Sequence, residues 1–203
     1  PNYYNYIQVP LEQLSTFAKA EYEVAEGVTG YIQGIYASTT AYNVGSEPVV
    51  AGPWTVRVPT NNYFIQNDPS MADFRTIVNS AQPGIIEYQA RISQAGPRTY
   101  ETENNVFQVL AGFKGKSQSR DLNWDVHASF GKTKTTDRTI SGSVSVSALQ
   151  ELADAPDGGD SICSGGYNPF GGTDPLSAAC LEYVSRTPVN ETILKQTVLE
   201  GIL

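Results

Sequence analysis

The chain has 203 residues, a formal net charge of −8 and a pI near 4.6; that acidity argues against nucleic acid as a partner, because phosphate binding needs basic patches. Charged residues make up only 17%, below the usual share of about 25%, yet a mean hydropathy of −0.28 rules out a greasy sequence. No run of 18 apolar residues occurs, which excludes a transmembrane helix but not a membrane-crossing strand, for which about 9–11 residues suffice.

The chain opens on Pro1 without a basic-then-apolar leader, which reads as processed or truncated. The first clear pattern has a period of two. In Phe17–Val24 one parity carries Lys19, Glu21 and Glu23, and the other carries Ala18, Ala20, Tyr22 and Val24. That alternation predicts a strand over about 16–25 with one wet and one apolar face. A tight turn at Ala25-Glu26-Gly27 leads to a second strand over about 28–42, with Val28, Gly30, Ile32, Gly34 and Tyr36 on one parity.

From about 43 to 105 the sequence is rich in Pro and Asn, which break strands and start turns. It reads as a long loop with one short helix near Pro69–Val78. Loops of this length tend to be functional. Alternation resumes over about 106–115, where Phe107, Val109, Ala111 and Phe113 share a parity. After a polar turn at Ser117–Asp121 comes a strand over about 122–136. There Leu122, Trp124, Val126, Ala128 and Phe130 alternate with Asn123, Asp125, His127, Ser129 and Gly131, and the apolar parity runs into Lys132 and Lys134. A second long irregular stretch covers about 142–190, and 192–203 reads as a fifth strand.

Two strands, a short turn between them and then a very long connection, repeated, is the asymmetry of bacterial outer-membrane barrels. The fold class expected is all-β, an antiparallel transmembrane β-barrel segment of about five strands with long external loops, with residues 1–203 forming part of one barrel domain. Five strands cannot close, and open edges cannot be satisfied in lipid, so the chain reads as a fragment of a larger barrel.

Cys163 and Cys180 both lie in Gly/Ser/Pro-rich composition, where exposed free thiols would be a liability. A disulfide between them would stabilise the loop by roughly 3 kcal/mol and imply an oxidising compartment. Zinc is not expected, since the lone histidine, His127, is remote in sequence from both cysteines. Glu151, Asp154, Asp157 and Asp160 have the composition of a calcium loop but not EF-hand spacing, and read better as a solvated acidic loop. Asp125, His127 and Ser129 share a strand face, but three residues along one strand do not make a catalytic triad without partners from elsewhere. No catalytic residues and no cofactor are expected.

Several stretches resemble TonB-dependent receptors of proteobacteria. These are Val9–Gln13 leading into Phe17-Ala18-Lys19, Val28–Tyr31, Gly96-Pro97-Arg98, Leu110–Gly115, Trp124–Thr133, the cysteine-bracketed Cys163–Gly171 with Leu176–Tyr183, and Gln196-Thr197-Val198. The resemblance implies a 22-stranded barrel in the outer membrane of a Gram-negative bacterium. It also implies contact with outer-membrane lipid, energy coupling to the TonB complex through a plug region absent from this sequence, and uptake of a small-molecule nutrient: an iron chelate, cobalamin or an oligosaccharide. The ligand-facing residues would be loop aromatics, namely Trp54, Tyr63, Phe64, Tyr88, Tyr100, Tyr167 and Phe170, the competing role for each being to pack the loops on one another. The alternative function is a secreted or processed β-rich structural or adhesive protein that assembles through its edge strands.

Overall fold

The structure is a computed structural model that describes residues 8–80, 84–117 and 122–203; the turn expected at 118–121, and Pro83 of the first irregular stretch, lie outside the described residues. In chain order the strands are β1 (Leu11–Ala25), β2 (Val28–Val44), β3 (Val49–Val50), β4 (Val56–Pro59), β5 (Ile85–Tyr88), β6 (Ala90–Arg91), β7 (Thr99–Ser117), β8 (Leu122–Ser141) and β9 (Val189–Ile202). The helices are α1 (Tyr63–Asn67), α2 (Ala72–Ser80), α3 (Val146–Asp154) and α4 (Ala178–Val184). The chain divides into two compact units, where one barrel domain was expected.

One unit comprises residues 8–43, 101–138 and 189–203 and is built on a single sheet in the order β1-β2-β7-β8-β9. All five strands that alternation predicts are present, and the sheet is mostly antiparallel β structure that is not closed on itself. β1 pairs antiparallel with β2, Ala20 opposite Ile32 and Tyr22 opposite Gly30; β8 pairs antiparallel with β9, Ala128 opposite Leu199. The strands are long: β7 has 19 residues and β8 has 20, against about 5–6 in an ordinary sheet.

β7 and β8 also run past the ends that hydropathy suggests. In the added length Thr102 donates to Asp137 at 2.7 Å, Thr135 donates to Asn104 at 2.7 Å, and Arg138 meets Glu101 at 2.7 Å. Cross-strand polar pairs continue the ladder where the apolar alternation has stopped.

The other described unit comprises residues 44–80, 84–100 and 139–188. It corrects the expectation of irregular loops over 43–105 and 142–190. Two small sheets, β3 with β6 and β4 with β5, and all four helices surround a core that includes Val50, Val56, Val58, Ile65, Ile92, Leu149, Leu152, Tyr167 and Val184. The residues that read as strand breakers here start and stop short elements. Asn62 accepts from the Phe64 amide at the start of α1, Ser145 caps α3 and Ser177 caps α4, each satisfying an orphan N–H of a first turn. Asp68 accepts from the Ser70 amide ahead of α2, so the short helix expected near Pro69–Val78 is present as a 3₁₀ turn continuing into α2.

Two side-chain amides stand in for missing strand neighbours. Gln150 of α3 accepts from the Arg57 amide at 2.8 Å and donates to the Arg57 carbonyl at 2.7 Å. Gln94 does the same for Leu176, at 3.0 and 2.8 Å. Asn62, 2% exposed, also donates to the Ala153 carbonyl at 2.8 Å and so ties α1 to the end of α3.

Replacing Asn62 with Ala removes a helix cap and leaves the buried Ala153 carbonyl unpaired, so about 2 kcal/mol of this unit's stability should be lost. Urea unfolding followed by near-ultraviolet circular dichroism measures it, and a midpoint equal to that of the unchanged chain would contradict the assignment.

Candidate functional site

The seven loop aromatics do not form one cluster. Tyr88 of β5 and Phe170 are half-buried against the core, with ring centroids 6.2 Å apart, and Phe74 of α2 closes on Phe170 at 5.7 Å. Tyr167 is fully buried, and its hydroxyl is the one buried side-chain polar atom without a hydrogen-bond partner among the described residues. Burial pushes its phenol well above the usual tyrosine value, with Tyr88 adding to the effect. Burial likewise raises Tyr88. Tyr63 and Phe64 pack edge to face at 5.2 Å on α1, Tyr100 is half-buried at the start of β7, and Trp54 stands exposed on a 3₁₀ turn. Of the set, Trp54 at 66% and Tyr63 at 38% are the exposed rings.

Cys163 and Cys180 lie at disulfide distance, with Cα atoms 5.0 Å apart. The acidic residues Glu151, Asp154, Asp157 and Asp160 do not converge. Asp157 accepts from the amides of Gly159 and Ser161 at 3.0 and 2.9 Å, Asp160 accepts from the Gly165 amide at 2.7 Å, and Asp154 accepts from Gln150. Glu151 accepts from the Tyr183 hydroxyl at 2.7 Å. No metal-holding group of three His, Cys, Asp or Glu residues exists among the described residues. The carboxylates fold the loop by occupying its backbone N–H groups, a use of Asp that turns favour.

The five-stranded sheet carries a constellation that the sequence disclosed only in part. Glu21 of β1 meets Lys19 and Lys114 at 2.7 Å each. Both ammonium groups approach the Tyr31 ring, at 5.9 and 5.7 Å from its centroid. The Tyr31 hydroxyl donates to Asp125 at 2.7 Å, His127 Nδ1 is 3.1 Å from Asp125, and His127 Nε2 is 3.6 Å from Glu200. These seven residues come from β1, β2, β7, β8 and β9 in turn. Alternation predicts that Asp125 and His127 share a wet face, but the partners Tyr31 and Glu200 are 94 and 73 residues distant in sequence from Asp125 and His127 respectively. Only the strand order brings them together. Among the described residues the partners of the His127 ring are the carboxylates of Asp125 and Glu200 rather than the Ser129 hydroxyl, so no nucleophilic triad is assembled there.

Gly112 makes the approach possible. A Cβ there would lie 2.6 Å from the His127 Cβ and 2.6 Å from the Val126 carbonyl oxygen, so glycine alone lets β7 and β8 close at this point.

The opposite face is apolar and uncovered within the sheet. Tyr22, Val24, Ile32, Phe113, Val126, Phe130 and Leu199 are exposed, Tyr22 by 76% and Leu199 by 80%. Around Gly30, Tyr22, Val24, Ile32, Phe113 and Val126 form a shallow concavity in which the Phe113 ring would lie 3.2 Å from an added Cβ. None of the core cluster's residues belongs to this sheet.

Two outcomes test these assignments. Gly112→Ala should destabilise the sheet by about 1–3 kcal/mol through forced backbone separation, read as a lower urea midpoint; an unchanged midpoint would contradict the close approach. Asp157 is held below its ordinary 3.8 by hydrogen bonds from Ser161, first from its side chain and then from its amide. Its contribution is therefore complete above about pH 4 and is lost as pH falls through the depressed value. Thermal unfolding between pH 5 and 2 should show a shallower acid limb for Asp157→Asn, and parallel limbs would remove Asp157 from the account. Comparison with protein-family models, with curated proteins and with solved structures finds no match to this chain.

Proposed function

We propose that this chain is a segment of an outer-membrane β-barrel, the barrel of a TonB-dependent receptor that takes up a scarce small-molecule nutrient. The observation that carries the proposal is the uncovered apolar face on long antiparallel strands, set back to back with a face of paired charges. A water-soluble monomer rarely leaves so many large apolar side chains in one exposed surface, whereas a barrel wall has lipid on one side and a polar lumen on the other.

The dimensions agree. From Leu122 to Phe130 the apolar parity of β8 runs about 26 Å along the strand at about 3.3 Å per residue, and a tilt of about 40° turns that into about 20 Å of depth, near the apolar band of about 25 Å in such barrels. Tyr36, Phe107 and Phe130 stand where the band gives way to polar residues, the level at which aromatic girdles form. On this reading the face carrying Glu21, Tyr31, Asp125 and His127 lines the lumen. The long connections between β2 and β7 and between β8 and β9 would be the external loops, and Trp54 and Tyr63 their aromatics most available for ligand. The family, the nutrient class and the TonB coupling rest on the sequence resemblance.

A second reading has one observation in its favour: β1 and β9 are the outer strands of the sheet order. Exposed edges suit a secreted protein that assembles by strand addition.

Expressed with an export signal in a Gram-negative host, the chain should fractionate with the outer membrane, and when purified it should adsorb through its apolar face and float with phosphatidylcholine vesicles. Recovery as soluble oligomers that ignore vesicles would overturn the membrane reading in favour of edge-driven assembly.

A further inference from the structure

Two lysines at the end of the apolar band have no counterpart in the pairing that governs the rest of that face. Lys132 of β8 and Lys195 of β9 stand directly opposite one another. Paired residues project to the same face, so the two ammonium groups share one patch of surface, and both residues are exposed. Like charges directly opposite on a sheet are destabilising. Yet neither lysine has a carboxylate or hydrogen-bonding partner among the described residues.

Their neighbours are treated differently. Lys134, one step farther along the same face, meets Glu191 at 2.7 Å, and Arg138 meets Glu101 at 2.7 Å and Glu103 at 3.7 Å. On the other side of the lysine row the face turns apolar at once, with Phe130 opposite Thr197 and Ala128 opposite Leu199. The sheet thus presents two uncompensated positive charges in one row, bounded by apolar side chains on one side and by neutralised charges on the other.

We infer that Lys132 and Lys195 bind the phosphate of an anionic lipid headgroup at the membrane boundary. The inference rests on the proposed membrane reading and deepens it. A phosphate placed between the ammonium groups removes their mutual repulsion, while the acyl chains of the same lipid lie along Phe130 and Leu199. Free inorganic phosphate satisfies only the first of these. Long lysine stems are suited to the place, since they lie along apolar surface while their heads reach the polar layer.

The test is flotation of the full chain with vesicles of phosphatidylcholine alone and with one quarter phosphatidylglycerol, circular dichroism confirming strand content in every variant. Each lysine near an anionic surface contributes about 5-fold in partitioning, hence about 25-fold for the pair. The unchanged chain should gain about that much on going to anionic vesicles, and Lys132→Gln with Lys195→Gln should lose the gain while floating normally with neutral vesicles. Lys134→Gln with Glu191→Gln, which removes an internally compensated pair, should keep it.

A double-lysine variant that gains as much as the unchanged chain overturns the inference and leaves the membrane reading standing, as does a control pair that loses equally. Displacement of the effect by inorganic phosphate at constant ionic strength overturns the lipid assignment in favour of a free anion. Failure of the unchanged chain to float with either vesicle overturns the membrane reading, and this inference with it.

Discussion

A strand's side chains alternate between two faces, and everything in the five-stranded sheet follows from how this sequence fills them. Ala20, Tyr22 and Val24 on β1, with Val126, Ala128 and Phe130 on β8, take one face. Among the described residues no helix or second sheet within the same unit covers them. Burying one such side chain is worth about 1.5–3 kcal/mol, so the uncovered face is a large unused driving force. The other unit shows the contrast. Its strands are two to four residues long, yet Val50, Val56, Val58, Leu149 and Leu152 are all fully buried. One unit is held by an ordinary core and the disulfide-distance pair within it; the sheet of the other contributes no residue to that buried cluster.

The polar face serves the same constraint in another way. Glu21, Tyr31, Lys114, Asp125, His127 and Glu200 are partly solvated, and exposed ion pairs contribute little each, about 0–1 kcal/mol. Their value is in register. A slip of one residue between two strands would carry every apolar side chain to the wet face and every charge to the apolar one. The Tyr31–Asp125 and Lys114–Glu21 contacts cannot form in any such register, and Gly112 admits close approach at one point along β7. Farther from the turn the wet face loses its purity, with Phe17 opposite Ile35, and there the cross-strand hydrogen bonds of Thr102 and Asn104 specify the pairing instead.

The large sheet was legible because a two-residue period is a local property: Phe17–Val24 and Leu122–Phe130 announce strands without any knowledge of their neighbours. The unit made from the two long connections was not, since its elements are too short for periodicity to emerge. Two-residue strands such as β3 and β6, and a five-residue helix such as α1, leave no pattern, and the Pro and Asn residues that cap them look like breakers. The same holds for function. Asp125 and His127 could be placed on a wet face by counting, but Tyr31 and Glu200 reach them only through strand order. Tyr167, a candidate ligand-facing ring whose competing role is to pack the loops on one another, is fully buried; composition alone does not decide between the two roles.

The uncovered face and the open edges have to be resolved together, and that requirement separates the possible states of the sheet. Stacking two copies by their apolar faces would bury Tyr22 and Leu199 but would leave the edges of β1 and β9 presenting unpaired N–H and C=O groups. Adding strands edge to edge in water would pair those groups and leave the apolar face wet. Placing the open sheet in lipid would cover the face, at a cost of several kcal/mol for each backbone group left unpaired in hydrocarbon. A closed barrel in a bilayer, completed by further strands, meets both demands at once. It also gives a place to the row of polar contacts from Lys19 to Glu200, whose residues would line a wet interior while their neighbours along each strand face lipid.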